Sequence, residues 1–354
     1  MKAITNAWYR KKATWILLLW PLEYLFVTLA KLKKKQLLKE QWQANCPVII
    51  VGNISIGGTG KSPVSIYLIE MLQQQGFKVG VVSRGYGALR KDFPYQVQEN
   101  DDAAQSGDEP LMIVKRTGVN LVIDPNRVSA CQYLLANNDC DLIISDDGLQ
   151  HYRMGRNIEI AVIDGKRGLG NGHCLPVGPL RESAERLKSV DFVIVNGEHD
   201  NEFSSSYSMQ IQAQGWYRLQ DQQFISLADF EILIQEQQGV VHAVAGIGNP
   251  QRFYDSLHGL GIDAVQHSFA DHHQYSAADF EFASAQDKVL VAEGNLKAIP
   301  KGRHIICMTQ KDAVKCVNYA PENSYYLQVA ADIDSSFKQH LLEKLAVIAQ
   351  INHN

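Results

Sequence analysis

Residues Cys46–Leu72 read CPVIIVGNISIGGTGKSPVSIYLIEML. An apolar run, Val48–Val51, ends in the turn Gly57-Gly58-Thr59-Gly60, and Lys61-Ser62 then opens an amphipathic segment. Strand, glycine loop and helix in that order are what a phosphate-binding loop requires. Backbone N–H groups at the helix start surround a polyphosphate, the Lys reaches its outer oxygens and the hydroxyl binds Mg²⁺. The Walker pattern G-x-x-x-x-G-K-[ST] is broken at one place, where Ser55 stands for the first Gly. Gly57 and Gly58 are expected to supply the left-handed backbone and the close approach. The loop Ser55, Ile56, Gly57, Gly58, Thr59, Gly60, Lys61, Ser62 is therefore the expected nucleoside triphosphate site. The alternative is a glycine-rich βα turn without ligand.

Downstream, Lys78–Ser83 reads as a second strand, so strand–helix–strand is completed in a βαβ unit and the sheet is parallel. It runs into Arg84-Gly85-Tyr86-Gly87. Ser106-Gly107-Asp108-Glu109-Pro110 opens a helix, and two acids there also fit simple capping and dipole complementarity. Asn120–Ile123 is a strand, followed by the turn Asp124-Pro125-Asn126-Arg127 and a helix over Val128–Ala136. In DLIISDDGLQ, Asp141–Gln150, an apolar strand ends in Ser145-Asp146-Asp147. Acids at the carboxyl end of a strand are where a Walker-B-type Mg²⁺ ligand sits, although Asp-Gly pairs also favour plain turns. Ile158–Asp164 and Asp191–Asn196 are further strands. Between them Leu175-Pro176-Val177-Gly178-Pro179-Leu180-Arg181-Glu182 is stiff enough to aim one guanidinium at a site. Residues 200–238 read as antiparallel edge strands or a linker.

A second body follows. Val240–Ala245 is a strand ending in Gly246-Ile247-Gly248-Asn249-Pro250, a tight βα turn lacking the features of a second nucleotide site. Asp263–Phe269 ends in Asp271-His272-His273, where no further spacing supports zinc; a His beside an acid fits sharing a proton with a carboxylate across a cleft. His304–Thr309 is a strand, Gln310–Lys315 opens a helix, and Tyr325–Val329 with a helix over Phe337–Ile351 completes the chain.

The chain has 354 residues, enough for one large or two modest domains. Its net charge of −4 is unevenly spread. Residues 1–40 carry nine Lys/Arg against Glu23 and Glu40, a surplus of seven, which leaves −11 on the remainder. An acidic body argues against nucleic-acid binding, and the basic piece points to an anionic surface. Six Cys without a C-x-x-C pair read as buried thiols in a reducing compartment. Ala13–Ala30 is mostly apolar, flanked by Arg10-Lys11-Lys12 and by Lys31, Lys33, Lys34 and Lys35. Pro21 and Glu23 near its centre disfavour a spanning helix, since a carboxylate there costs about 2.5–3.5 kcal/mol. A helix lying in one leaflet is expected, with Trp15, Trp20 and Tyr24 at headgroup level. The alternative is a helix packed on the protein's own core.

Nine stretches in order, GNISIGGTGKSP, SRGYG, GDEP, DPNR, SDDGLQHYRM, LPVGPLRE, AGIGNPQRF, FADHHQYS and MTQKDAVK, give the chain its resemblance. It resembles the tetraacyldisaccharide 4′-kinases, the lipid A 4′-kinases of Gram-negative bacteria. The resemblance implies transfer of the γ-phosphate of ATP, with Mg²⁺, to the 4′-hydroxyl of a tetraacyldisaccharide 1-phosphate at the cytoplasmic face of the inner membrane. It implies Lys61 on the β/γ oxygens, and Ser62, Asp146 and Asp147 at Mg²⁺. Asp108 matches the carboxylate base, assisted by a histidine of the DHH motif, for which His272 is favoured over His273. Arg84, Arg127 and Arg181 are candidates for gripping phosphates of lipid or ATP.

The expected fold is α/β: a P-loop NTPase-like parallel core at residues 41–238, a smaller α/β domain at 239–354 and a membrane-associating helix at 1–40. The inner-membrane surface and the lipid substrate are the expected partners, with no nucleic acid and no obligate protein partner. A membrane-associated partitioning or assembly ATPase is the competing class, but Ile56 occupies its signature Lys position. A non-catalytic nucleotide-binding module is opposed by the cluster of acids and histidine.

Overall fold

The computed structural model describes residues 5, 7–10, 14–198, 203, 206–237, 239–281 and 304–352. In chain order the strands are β1 (Val48–Gly52), β2 (Val79–Ser83), β3 (Tyr95–Gln96), β4 (Asn120–Ile123), β5 (Leu142–Asp146), β6 (Ile158–Asp164) and β7 (Phe192–Asn196). They continue as β8 (Tyr207–Arg218), β9 (Phe224–Ile225), β10 (Val240–Ala245), β11 (Val265–Ser268), β12 (His304–Thr309) and β13 (Ser324–Ile333). The helices used below are α1 (Trp20–Lys39), α2 (Lys61–Gln74), α3 (Asp108–Thr117), α4 (Arg127–Asn137), α5 (Leu227–Gln237), α6 (Pro250–Gly259), α7 (Gln310–Cys316) and α8 (Ser335–Asn352).

The strand that opens the glycine loop, β1, is buried along its whole length and lies between β5 and β6, parallel to both. Strands covered on both faces read as unbroken apolar runs, which is why VIIV carries no polar alternation. Ile49 and Val51 face a cluster with Leu68, Ile69 and Leu72 of α2, whereas Val48 and Ile50 face Leu134 of α4 and Leu149. Each such side chain contributes about 1.5–3 kcal/mol on burial.

Among the described residues the strands form one sheet, ordered β11-β10-β12-β13-β8-β7-β6-β1-β5-β2-β4-β3, with β9 on β8. The stretch expected as antiparallel edge strands or a linker carries one short antiparallel strand at the margin, β9, but its main strand is internal. β8 is twelve residues long and sits inside the sheet, parallel to β7 at Ile194↔Tyr207 and antiparallel to β13 at Tyr326↔Tyr217. Its alternating polar and apolar residues mimic an edge, yet Trp216 is buried against Phe230 of α5 at 4.2 Å between ring centroids. The expected division at residue 238 does not separate the packing either. Phe337, Leu341 and Leu345 of α8 share the cluster of Ile49. Truncating Phe337, which is fully buried, would cost about 3–5 kcal/mol.

The N-terminal segment also differs from expectation. Thr14–Leu19 is a 3₁₀ turn and α1 begins at Trp20, so Pro21 occupies a first-turn position rather than a helix centre. Proline is pre-set for that place and loses no hydrogen bond there. Glu23 faces the protein: its carboxylate accepts from the Cys174 N–H at 2.6 Å and from His173 Nδ1 at 2.9 Å. Phe26 and Val27 pack on the core beside it, while Trp15, Leu18, Trp20, Leu22, Leu25 and Leu29 are exposed. The segment Trp15–Lys39 is long and apolar enough to cross a membrane by length and composition. Lys2, Lys11 and Lys12 of the expected basic flank lie outside the described residues.

Candidate active site

The geometry of the glycine loop is fixed from three sides. Gly57 (φ 107°) and Gly60 (φ 97°) are the left-handed positions; Gly58, expected to share this role, is not. Gly60 caps α2 with no side-chain hydrogen bond, so the first N–H groups of α2 are left for a ligand. The Asn196 amide at the end of β7 donates to Thr59 O at 3.0 Å, and a Cβ on Gly60 would collide with it. Ile56 N–H donates to Pro179 O at 2.9 Å and Arg181 N–H to Ile54 O at 2.7 Å. These bonds zip LPVGPLRE onto the phosphate loop and deliver Arg181 to Asp147, 3.7 Å away.

The acids at the end of β5 divide into two environments. Asp146 is 2% exposed and accepts from the Ser65 hydroxyl at 2.8 Å. Burial, followed by the charges of Glu109 and Asp147, raises its pKa to about 6. Asp147 adopts φ 50° and faces Lys61 at 3.4 Å. Burial pushes its carboxyl up, but Lys61 and Arg181 outweigh that and leave it below the ordinary value. No described cluster of three or more His, Cys, Asp or Glu could hold a metal alone. Mg²⁺ is commonly bound by one or two carboxylates together with substrate phosphates, and this donor set fits that pattern. Asp147 Oδ1 is buried with Lys61 as its ion-pair partner and no hydrogen bond, and Asp146 lies in the negative field of Glu109 and Asp147, which a cation would relieve. Ser62 sits half-buried in the first turn of α2; the hydroxyl that touches Asp146 is Ser65, which the sequence reading passed over.

Motifs from the two ends of the chain meet at Asp108. His272 Nδ1 lies 2.9 and 3.0 Å from its two carboxylate oxygens, although 164 residues separate them. His272 has φ 60° and its ring packs at 4.9 Å from that of Tyr86, in the SRGYG turn. His273 instead pairs with Asp279 at 3.3 Å and stacks on Phe269. The hydrogen bond to Asp108 raises the His272 pKa despite burial. Burial pushes Asp108 up, while His272, Lys311 and Lys315 together hold it below the usual carboxylate range.

Both lysines escaped the sequence reading, though their i, i+4 spacing in QKDAVK was the available signal. Lys311 reaches Glu109 at 3.0 Å, Asp271 at 3.3 Å and Asp108 at 3.9 Å. Lys315 reaches Asp312 at 2.9 Å and Asp108 at 3.8 Å.

Of the candidate arginines, Arg181 enters the site and Arg84 is exposed beside it. Arg127 is 1% exposed and donates to Asp124 O at 2.9 Å and to Asp146 O at 3.5 Å. Its guanidinium is spent on the backbone that carries the acids, and burial lowers its pKa to about 10. A cavity of ≈ 540 Å³ opens between α1 and the body, lined by Phe26, Val27, Ala30, Lys34, Tyr152 and Arg181.

With this geometry in place, comparison with known proteins is specific. The family model described as tetraacyldisaccharide-1-P 4′-kinase matches residues 15–346. A tetraacyldisaccharide 4′-kinase of Ectopseudomonas mendocina is 44% identical over 97% of this chain and 96% of its own. One of Hahella chejuensis is 38% identical over 97% and 96%. A solved chain, described as LpxK from Aquifex aeolicus in complex with ATP, superposes with a TM-score of 0.72 over 93% of this chain and 99% of that one, at 24% identity, and so shares the fold. The chain belongs to the tetraacyldisaccharide-1-P 4′-kinase family.

Proposed function

We propose that this chain transfers the γ-phosphate of ATP to the 4′-hydroxyl of a tetraacyldisaccharide 1-phosphate, a step of lipid A biosynthesis, at the cytoplasmic face of the inner membrane. The observation that carries the reading is the Asp108–His272 pair, linked by Lys311 to Glu109, whose charge in turn reaches Asp146 beside Lys61 and Asp147. Ser55–Ser62 would bind the triphosphate, with Lys61 neutralising its outer oxygens. Ser62, Asp146 and Asp147 would hold Mg²⁺, which when bound neutralises charge on the transferring phosphoryl group. Asp108, hydrogen-bonded to His272, would accept the hydroxyl proton, the anionic carboxylate balancing an imidazolium. Arg181 and the exposed Arg84 would grip phosphate, and Arg127 would fix the strand end that presents Asp146. The cavity beside α1 offers the acyl part of the acceptor an apolar wall, with Lys31, Lys33 and Lys34 towards anionic headgroups. In this reading residues 1–40 seat the enzyme on the membrane, 41–238 hold the donor and 239–354 bring His272 to the acceptor.

Phosphate transfer from γ-labelled ATP to the disaccharide tests the reading. Lys61→Ala is expected to abolish it, and Asp108→Ala to lower turnover by roughly 10²–10⁴-fold, with the fold retained. An Asp108→Ala enzyme with near wild-type turnover removes Asp108 from the proton-accepting role. The partitioning-ATPase class would instead show ATP-dependent dimerisation and no transfer.

A further inference from the structure

Asp164, at the carboxyl end of β6, is 3% exposed and is claimed by two arginines from different parts of the chain. Its Oδ1 accepts the Lys166 N–H at 3.1 Å and the Arg167 N–H at 3.2 Å. Its Oδ2 lies 3.1 Å from Arg252 Nη2 and 3.8 Å from Arg167 Nε. Both carboxylate oxygens are thereby engaged, and the three charges leave one net positive. Among the described residues, Asp164 is the acid that pairs with either guanidinium.

The cluster stands over the phosphate loop. Arg167 Nη1 lies 2.9 Å from where a Cβ on Gly57 would be, so its guanidinium rests on the bare backbone of that glycine. Arg252 starts α6 just after the GIGN turn, in which a Cβ on Gly248 would come within 3.7 Å of Gly58 N. Gly57 and Gly58 precede Lys61 in the loop whose backbone would cradle the phosphates of a bound triphosphate, with Lys61 reaching the outer ones. The Arg252 side chain keeps about a third of its surface open, at 34%. A buried carboxylate that holds one guanidinium near its Nε and the other through a single Nη leaves terminal nitrogens on both for planar recognition of a phosphoryl group.

We infer that Arg167 and Arg252 form a phosphoryl-binding pair that reads the terminal phosphate of the donor nucleotide, one from each side of the cleft, with Asp164 as the residue that positions both. The inference rests on the donor-site reading of the phosphate loop given above. Neither arginine was singled out by the sequence: Arg252 sits in a motif whose glycines and proline drew attention, and Arg167 in a stretch between the strand Ile158–Asp164 and the loop Leu175–Glu182 that offers no such signal. The Arg252–Asp164 contact also ties the GIGN turn to the end of β6, so occupation by the donor would draw the two sides together.

The test is nucleotide discrimination by the full chain in detergent, without acceptor lipid. Binding of a Mg²⁺-loaded ATP analogue with a non-hydrolysable β–γ bridge is compared with Mg·ADP by titration calorimetry. The wild-type protein should favour the triphosphate. Arg252→Ala and Arg167→Ala should each lower that preference by about tenfold or more, with ADP affinity little changed and Arg252→Lys intermediate. A purely structural role would weaken both nucleotides together, so an unchanged ratio in either variant overturns the pair. A raised KM for the disaccharide with the nucleotide ratio intact also overturns it and assigns the cluster to the acceptor's phosphate. A wild-type protein that binds neither nucleotide overturns the donor-site reading itself, and this inference with it.

Discussion

Replacing Lys315 with Met keeps the length of the side chain and deletes a charge that is only 3% exposed. Its two partners lose unequally. Asp312 retains the Gly246 N–H at 3.0 Å, the Thr309 hydroxyl at 2.7 Å and the Tyr275 hydroxyl at 3.1 Å. Asp108 retains His272 and Lys311, but Lys311 stands 3.9 Å away and is closer to Glu109 and Asp271. Two unit charges 4 Å apart interact by about 4 kcal/mol at an effective dielectric of 20. Removing one member of a buried pair costs about 3–5 kcal/mol, so the melting midpoint should fall by roughly 5–10 °C. Burial pushes the Asp108 carboxyl up, and the positive neighbours more than reverse this. A carboxyl lowered in the fold lends stability above its unfolded value, and that share is lost as pH falls through the folded one. Without Lys315 the folded value rises, so the acid limb of kcat/KM should move to higher pH. Phosphate transfer followed from acid to neutral pH reads the shift, and Lys315→Arg, which keeps the charge, should move the limb back. A folded Lys315→Met enzyme with an unmoved acid limb would refute the reasoning.

Asp146 carries the opposite sign. Its folded pKa of about 6 exceeds the unfolded value, so its share of stability is present below the ordinary carboxylate range and lost as pH rises through about 6. Asp146→Asn should therefore raise the neutral-pH melting temperature of metal-free protein while cancelling protection by Mg²⁺; a less stable metal-free variant would contradict this. Glu23→Ala strands the Cys174 N–H and frees His173, a loss of about 1–3 kcal/mol local to the docking of α1. Faster proteolysis between α1 and β1, with vesicle binding kept, is the expected readout, and an unchanged cleavage rate speaks against the clasp.

What the sequence could disclose follows the range of each interaction. Strands β1, β2, β4, β5, β6, β7, β10 and β12 were legible because unbroken apolar runs and their glycine turns are local signals. The loop Ser55–Ser62 and the acids of β5 were legible for the same reason. β8 was not, since its half-polar alternation suits an edge and only its pairing with β13 shows it to be internal. Glu23 was misjudged because a carboxylate in an apolar helix reads as a cost until its acceptor role at Cys174 is seen. Arg127 looked like a phosphate ligand by residue type, and burial assigns it to the backbone instead. Lys311 and Lys315 show in the sequence only as an i, i+4 pair, and their reach to Asp108, like that of Ser65 to Asp146 and of Asp164 to Arg252, spans dozens to hundreds of residues that no local pattern reports.

The contacts that assemble the cleft share a character. Asp108 with His272, Lys311 with Glu109, Lys315 with Asp108 and Arg252 with Asp164 are all charged or charge-assisted, and all join residues before position 165 to residues after 250. Behind them α8 packs on the cluster of Ile49, and the β8–β13 ladder ties the last strand to the strand beside β7. A ladder and an apolar cluster hold irrespective of titration or ionic strength, whereas ion pairs change with protonation and, where partly exposed, weaken with salt. His272 depends on the latter. A non-glycine residue at φ 60° stores about 1–3 kcal/mol and persists only where its surroundings over-determine it. Here the two bonds to Asp108 and the Tyr86 ring do so. The Asp108–His272 pair is thus assembled by charges that a bound polyphosphate would redistribute, on a frame that those charges do not hold together.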